Sequence, residues 1–231
     1  MESRVRFSES DANDRLTLPA IIDYFQDCST FQSEDLGLGL KFLREQHLTW
    51  VMSAWQLEIS EYPKMGEKIA VRTFPYDFKG CFGFRNFMLD KADGTRVVKA
   101  NSLWTLMNLQ EMMPHRPTPE MYEKFVLEEK LPMNYLPRKI AMPAEMEIQE
   151  SFFIKKQHLD SNGHVNNGQY VKLAAQYLPE NETIHGLRVE YKKQAMLGDE
   201  ITPRVHKEEG ICIVNLGMAD GTPYMVAEFR V

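Results

Sequence analysis

Apolar residues first recur with helical spacing at Leu18, Ile21, Ile22, Phe25 and Cys28, which share one face, with Thr17 placed to cap and Pro19 in the first turn. A short extended start, Val5 to Phe7, precedes this helix. Four runs of strand character follow, LTWVMSAWQLEI, KIAVRTF, CFGFRNFML and RVVKANSLWTLM, separated by turn signals at YPKMGE, DFKG and KADG. Six of the twelve prolines then crowd into PHRPTPEMYEKFVLEEKLPMNYLPRKIAMP. Such a stretch predicts a segment crossing a surface, with only a short turn near 119 to 128. Beyond it the order repeats: an extended SFFIK, a helix with Tyr170, Leu173, Ala174, Tyr177 and Leu178 on one face, then GLRVEYKK, EITPRVH, ICIVNLGM and PYMVAEFRV.

The halves share residues as well as order. Asp11-x-Asn13-x-Arg15-Leu16 aligns with Asp160-x-Asn162-x-His164-Val165 at an offset of 149. Gly66-Glu67-x-Ile69 aligns with Gly198-Asp199-x-Ile201, and Asp93-Gly94-Thr95 with Asp220-Gly221-Thr222. Several short matches in one order predict a duplicated β-α-β-β-β-β unit. A helix followed by antiparallel strands implies an α+β structure, two tandem units in which each long helix buries its apolar stripe against a strongly twisted antiparallel sheet. The expected organisation is an N-terminal unit over 1–113, a proline-rich linker over 114–146 and a C-terminal unit over 147–231. Two such units pair as the subunits of a symmetric dimer do, which leaves a homodimer of the whole chain open.

Composition narrows the classes. At 231 residues, 43% of them hydrophobic, the chain can bury a substantial core. Its 27 basic and 33 acidic residues give a formal charge of -6, and the basic ones are scattered, so no nucleic-acid partner is expected. Cys28, Cys81 and Cys212 are odd in number and lack CxxC spacing, which suits buried thiols in a reducing compartment. The start MESRVRFSESDAND has no apolar leader region, and no run reaches the ~18 apolar residues of a membrane span. The expectation is a cytoplasmic protein with no membrane span.

HLDSNGHVNNGQYVKL, residues 158–173, changes the picture most. Asp160, Asn162, His164, Asn166 and Asn167 crowd directly before the second helix. A calcium loop of the EF-hand type is excluded, because its fifth, sixth and twelfth places would fall on His164, Val165 and Val171. A transition-metal site could draw on His158, Asp160 and His164 with His185 or His206, but no second cluster has ligand spacing. No metal or organic cofactor is expected. A polar turn with one capping Asn explains the first copy, Asp11 to Arg15, well, but five polar side chains exceed what a turn requires in the second.

The catalytic reading uses the surplus. A helix N-terminus presents N–H groups and a partial positive charge that can stabilise an oxyanion. The His164 imidazole can take a proton from water. Asp160 can orient or charge-stabilise that imidazole, or act on the carbonyl itself, and Asn162 can hold water or substrate by its amide. These are parts for hydrolysing an activated acyl group. No Ser stands in a G-x-S-x-G elbow and no Cys is near, so water is the expected nucleophile.

LDSNGHVNNGQY, the later VEYKKQA, NSLWTLMN ahead of the proline-rich segment and DYFQDCSTFQSEDLG in the first helix together resemble the acyl-acyl carrier protein thioesterases, the plant-type fatty acyl thioesterases and their bacterial relatives. The likeness covers essentially the whole chain. It implies a double hotdog fold, the second half carrying the catalytic loop and the first shaping the acyl pocket, and release of a free fatty acid from the phosphopantetheine thioester of acyl carrier protein. It also implies that Asp160, Asn162 and His164 occupy the catalytic places. One position departs: where the family commonly has Tyr-Arg-Arg-Glu-Cys, this chain has Tyr191-Lys192-Lys193-Gln194-Ala195. The residue proposed there to activate water is thus Gln194, which can bond a water but cannot take its proton. Base catalysis then falls to His164 or Asp160.

Asn166, Asn167, Ile21, Ile22, Phe25, Trp55 and Trp104 are the expected substrate contacts, since aromatic and apolar side chains suit a flexible acyl chain. Carrier proteins are acidic, so Lys155, Lys156, Lys192 and Lys193 form the expected carrier-binding face, to which Arg138 and Lys139 add. Beside it stands the plainer explanation that exposed strand positions favour Lys. Two alternatives stay open: a coenzyme A thioesterase on the same fold, and a non-catalytic acyl-binding protein that lost its base at Gln194.

Overall fold

A computed structural model of the chain describes residues 1–160, 163–178 and 182–231. The chain divides into two compact units, Met1–Ser53 with Ile59–Tyr135, and Ala54–Glu58 with Leu136–Val231. In the first, β1 (Glu2–Arg4) leads through a 3-10 turn at Phe7–Glu9 into α1 (Leu18–Asp35) and α2 (Leu40–Glu45). Then come β2 (Leu48–Ile59), β3 (Lys68–Lys79), β4 (Phe82–Lys91), β5 (Arg96–Asn108), the two-residue β6 (Met113–Pro114) and α3 (Pro119–Lys124). Thr17 caps α1 as the sequence predicts, its hydroxyl accepting the Ala20 N–H at 3.4 Å. The apolar face read from the sequence is buried, and α1 packs on β3.

The second unit comprises β7 (Glu147–Ile148), β8 (Phe152–Phe153), α4 (Asn167–Ala175), β9 (Gly186–Tyr191), β10 (Glu200–Glu208), β11 (Ile211–Gly217) and β12 (Pro223–Arg230), with residues 54–58 of β2 paired to β9. Strand order is β1-β3-β4-β5-β2 in the first unit and β7-β10-β11-β12-β9 in the second. β8 also pairs with β10, Phe152 opposite Ile201 as Ser3 of β1 is opposite Ile69 of β3, and with β8 in the place of β7 one order becomes the other when each strand is replaced by its repeat counterpart, so the sequence repeat is a repeat of topology. It extends to single hydrogen bonds. Val5 donates to Glu67 O at 3.0 Å and accepts from Gly66 N–H at 2.9 Å, while Ile154 donates to Asp199 O at 2.9 Å and accepts from Gly198 N–H at 3.0 Å.

Three local expectations change. The extended start is β1, ahead of Val5, and Phe7 already begins the 3-10 turn. The strand begun by KIAVRTF does not stop at Phe74, because a register shift between Pro75 and Asp77 absorbs the proline and carries β3 on to Lys79. Helix α4 ends at Ala175, leaving Tyr177 and Leu178 half-buried in the turn behind it.

The proline-rich stretch is bonded along its length. Met121 and Phe125 join Leu38, Leu43, Leu48 and Leu106 in one apolar cluster of the first unit. There, Asn86 Oδ1 accepts from Leu131 N–H at 3.1 Å and from the Tyr135 hydroxyl at 2.9 Å. In the second unit Leu136 N–H donates to Gln56 Oε1 at 2.9 Å, and Arg188 donates to the carbonyls of Pro137 and Lys139 at 2.6 and 3.2 Å. No helix among the described residues is long and apolar enough to cross a membrane.

Candidate active site

The Asp160 loop is a closed turn. Asp160 N–H donates to His164 O at 2.8 Å, Gly163 N–H donates to Asp160 O at 3.1 Å, and Asp160 Oδ1 accepts the His164 N–H at 3.2 Å. Gly163 takes φ +77°, a left-handed value that the turn requires and glycine adopts freely. The first copy is built alike. Asp11 N–H donates to Arg15 O at 2.8 Å, Asp14 N–H to Asp11 O at 3.1 Å, and Asp11 Oδ1 accepts from Asn13 and Arg15 N–H at 2.8 and 2.9 Å. In both copies, then, the aspartate carboxylate holds the turn through backbone N–H groups. What differs is the side chain at the fifth position, Arg15 in one and His164 in the other. The half-buried His164 imidazole bonds no described residue. Asn162 lies outside the described residues.

Asn166 caps α4. Its Oδ1 accepts from Gly168 N–H at 2.8 Å and Gln169 N–H at 3.3 Å, so these first-turn donors are not open to an oxyanion as the sequence suggests. Asn167 opens the helix, and its carbonyl accepts the Tyr191 hydroxyl at 3.0 Å.

A second segment is fastened to this loop. Val165 N–H donates to Ala195 O at 3.3 Å, one residue beyond both His164 and Gln194. Ala195 N–H in turn donates to the Tyr170 hydroxyl at 2.8 Å, and the Tyr170 ring meets Tyr191 edge-on at 5.9 Å. Burial pushes the Tyr170 hydroxyl pKa up, so it stays protonated in this role. Asp199 Oδ2 accepts from Met196 N–H at 2.9 Å and from the Tyr224 hydroxyl at 3.1 Å, while Tyr224 O takes the N–H groups of Lys192 and Lys193 at 2.8 and 3.2 Å. Gln194 thus has a fixed backbone on either side and an exposed side chain. In the first unit Leu16 N–H donates to Pro63 O at 2.8 Å, which puts Tyr62 in the place of Gln194. The supporting hydroxyls of Tyr170 and Tyr224 were missed in the sequence, where the spacing counts tyrosine simply as apolar. Asp199 did leave a signal, since it aligns with Glu67.

The remaining expected residues scatter. Lys155 and Lys156 are exposed and form no ion pair among the described residues, whereas Lys192 Nζ lies 2.6 Å from Oε1 of the buried Glu190 and Lys193 Nζ stands 5.6 Å over the Tyr224 ring. Arg138 also faces Glu190, at 3.8 Å. Ile21, Ile22 and Phe25 are wholly buried in the first unit and Trp55 in the second; Trp104 is half-buried, its Nε1–H donating to Ser102 Oγ at 2.8 Å. Among the described residues no three His, Cys, Asp or Glu side chains are grouped to hold a metal. His206 donates instead to Glu145 O at 3.1 Å.

Comparison with known proteins agrees across the chain. Residues 1–125 match the family model of the acyl-ACP thioesterase N-terminal domain, and residues 142–226 that of the acyl-ACP thioesterase C-terminal domain. The chain is 24% identical to oleoyl-acyl carrier protein thioesterase 2, chloroplastic, of Arabidopsis thaliana over 84% of its own length and 59% of that protein's. It is 23% identical to the acyl-[acyl-carrier-protein] hydrolase FATB3, chloroplastic, of Cuphea viscosissima over 82% and 50%. The chain therefore spans about half to three-fifths of these relatives. In fold it is similar to an acyl-ACP thioesterase from Bacteroides thetaiotaomicron, with TM-score 0.91, 23% identity and coverage of 100% and 96%. The 12:0-ACP thioesterase from Umbellularia californica gives 0.83, 18%, and coverage of 100% and 95%.

Proposed function

The chain belongs to the acyl-ACP thioesterase family, with a hotdog-type α+β fold, and from that premise we propose that it hydrolyses the thioester of a fatty acyl chain on acyl carrier protein. The observation that carries this reading is the pair of loops with matching backbone bonds, of which only the second holds a titratable imidazole before its helix. His164 takes a proton from water as the water oxygen adds to the thioester carbonyl. The C–S bond then breaks, the proton passes to the departing thiolate, and a free fatty acid and the carrier thiol leave. Asp160 keeps the turn that presents His164. Because Asn166 already occupies two first-turn donors, the oxyanion falls to the side-chain amide of Asn162, while Gln194 bonds the attacking water without taking its proton.

In this reading the first unit shapes the acyl pocket with members of the set Ile21, Ile22, Phe25 and Trp104, while Asn166 and Asn167 border the thioester. Lys155, Lys156, Lys192 and Lys193 face the acidic carrier. A second reading, an acyl-binding protein without turnover, is favoured by Gln194, which cannot accept a proton.

A thiol-release assay over acyl carrier proteins of graded chain length, with acyl-coenzyme A beside them, decides. The expected result is turnover on the carrier substrates, cut by about a hundredfold or more in His164→Ala. Gln194→Glu is expected to raise kcat, and an unchanged kcat removes that position from the mechanism. Equal inertness of the wild type and His164→Ala sinks the enzyme reading.

A further inference from the structure

Arg85 in β4 is 7% exposed and faces no carboxylate among the described residues. Its Nη1 donates to Gln32 Oε1 of α1 and, at 3.2 Å, to Thr73 Oγ1 of β3, and its guanidinium lies 5.5 Å from the centre of the Phe125 ring. All three partners are neutral. Burial pushes its pKa down to about 10, so it remains a cation at neutral pH. A buried charge without a counter-ion is costly, and a guanidinium fork fits a carboxylate by two parallel hydrogen bonds.

Gln32 and Thr73 also line a cleft of about 390 Å³ beside α1 and β3. That volume lies in the range of small-molecule sites, about 300–1,000 Å³. Its apolar walls come from Cys28, Phe31, Val71, Phe74 and Met88. Asp35 and Glu128 stand on the lining with Met1, whose amino group donates to Val71 O at 2.8 Å, and with Arg72, which is already bound to Asp90; the guanidinium behind the cleft is the buried cation that faces no carboxylate among the described residues.

We infer that this cleft binds a free fatty acid, its carboxylate replacing the Gln32 amide on Arg85 and its tail lying along the apolar walls. The inference needs neither His164 nor a thioester. Where the hydrolysis proposed above occurs, the ligand is its product.

Calorimetric titration of the whole chain with dodecanoate and dodecanol tests it. The wild type is expected to take dodecanoate at least about tenfold more tightly than the alcohol. Gln32→Glu keeps Arg85 and sets a fixed carboxylate where the ligand's would sit. Dodecanoate affinity should fall by about tenfold or more, dodecanol affinity should hold, and the melting temperature should not drop. Arg85→Gln should give the same loss. Equal affinity of acid and alcohol for the wild type overturns the inference, as does full dodecanoate affinity in Gln32→Glu. Thiol release is read on the same wild-type sample: its absence counts against hydrolysis, and persistent binding in Gln32→Glu counts against the cleft.

Discussion

His158, two residues before Asp160, is buried, and its Nδ1 accepts the Lys155 N–H at 3.1 Å. Glu9 does the same for Arg6 N–H at 2.9 Å in the first unit, so the ring serves a turn that another acceptor serves elsewhere. Burial first, then the Lys155 charge, hold the His158 pKa below its usual 6.5. The unfolded chain therefore binds a proton before the folded one does, and the stability this residue contributes is fully present above about 6.5 and lost as pH falls through the lowered folded value. Urea unfolding followed from about pH 8 to pH 5 should show the wild type losing more stability than His158→Gln, which keeps an acceptor without a titration in that window. Equal losses would clear His158 of the effect. Residue by residue, the sequence exposed His164 because the polar density around it exceeds what a turn needs. It could not expose Asn166 as a cap of both Gly168 and Gln169, since a capping amide and a substrate-binding amide look alike before the helix start is placed.

At the scale of elements, β9 and β12 are joined by more than their ladder. Arg188 and Glu228 stand opposite each other and pair at 2.7 Å with only 14% and 11% of their side chains exposed, while Arg188 also ties down the carbonyls of Pro137 and Lys139. Arg188→Leu is expected to cost about 3 kcal/mol, the low end for a broken buried pair because Arg230 still holds Glu228 at 3.2 Å. Adding Glu228→Leu should recover much of that loss, and a denaturant midpoint that stays low in the double variant would place the cost in the freed 137–139 segment instead. Strands of this kind are what alternation reveals best: LTWVMSAWQLEI is β2 from end to end. Element ends are set by partners distant in sequence. The run GLRVEYKK stops pairing at Tyr191 because Lys192 and Lys193 turn both N–H groups onto Tyr224 O, and no local pattern announces that.

Across the whole molecule, a formal charge of -6 must coexist with an acidic partner if the carrier is the substrate. Lys192 is already neutralised by Glu190, which leaves Lys155, Lys156 and Lys193, the last over the Tyr224 ring, without an ion pair among the described residues. Hydrolysis of carrier-bound substrate should fall steeply as ionic strength passes about 0.1 M, where charges are screened beyond roughly 10 Å, while a small acyl thioester should respond little. Charge reversal at Lys155 or Lys156 should weaken carrier use more than reversal at Lys192, and equal salt sensitivity of both substrates would discard the basic face. The duplication was legible at this scale because short matches kept one order. Its depth was not, because hydrogen bonds such as Leu16 to Pro63 and Val165 to Ala195 join residues far apart in the chain and share no sequence motif. Those paired lattices make Arg15 and His164 tenants of one mounting. The backbone carries the turn whatever side chain stands at its fifth place, so a lineage with two such mountings can hold the fold with one and vary the other, and novelty at that place comes without the risk of losing the scaffold.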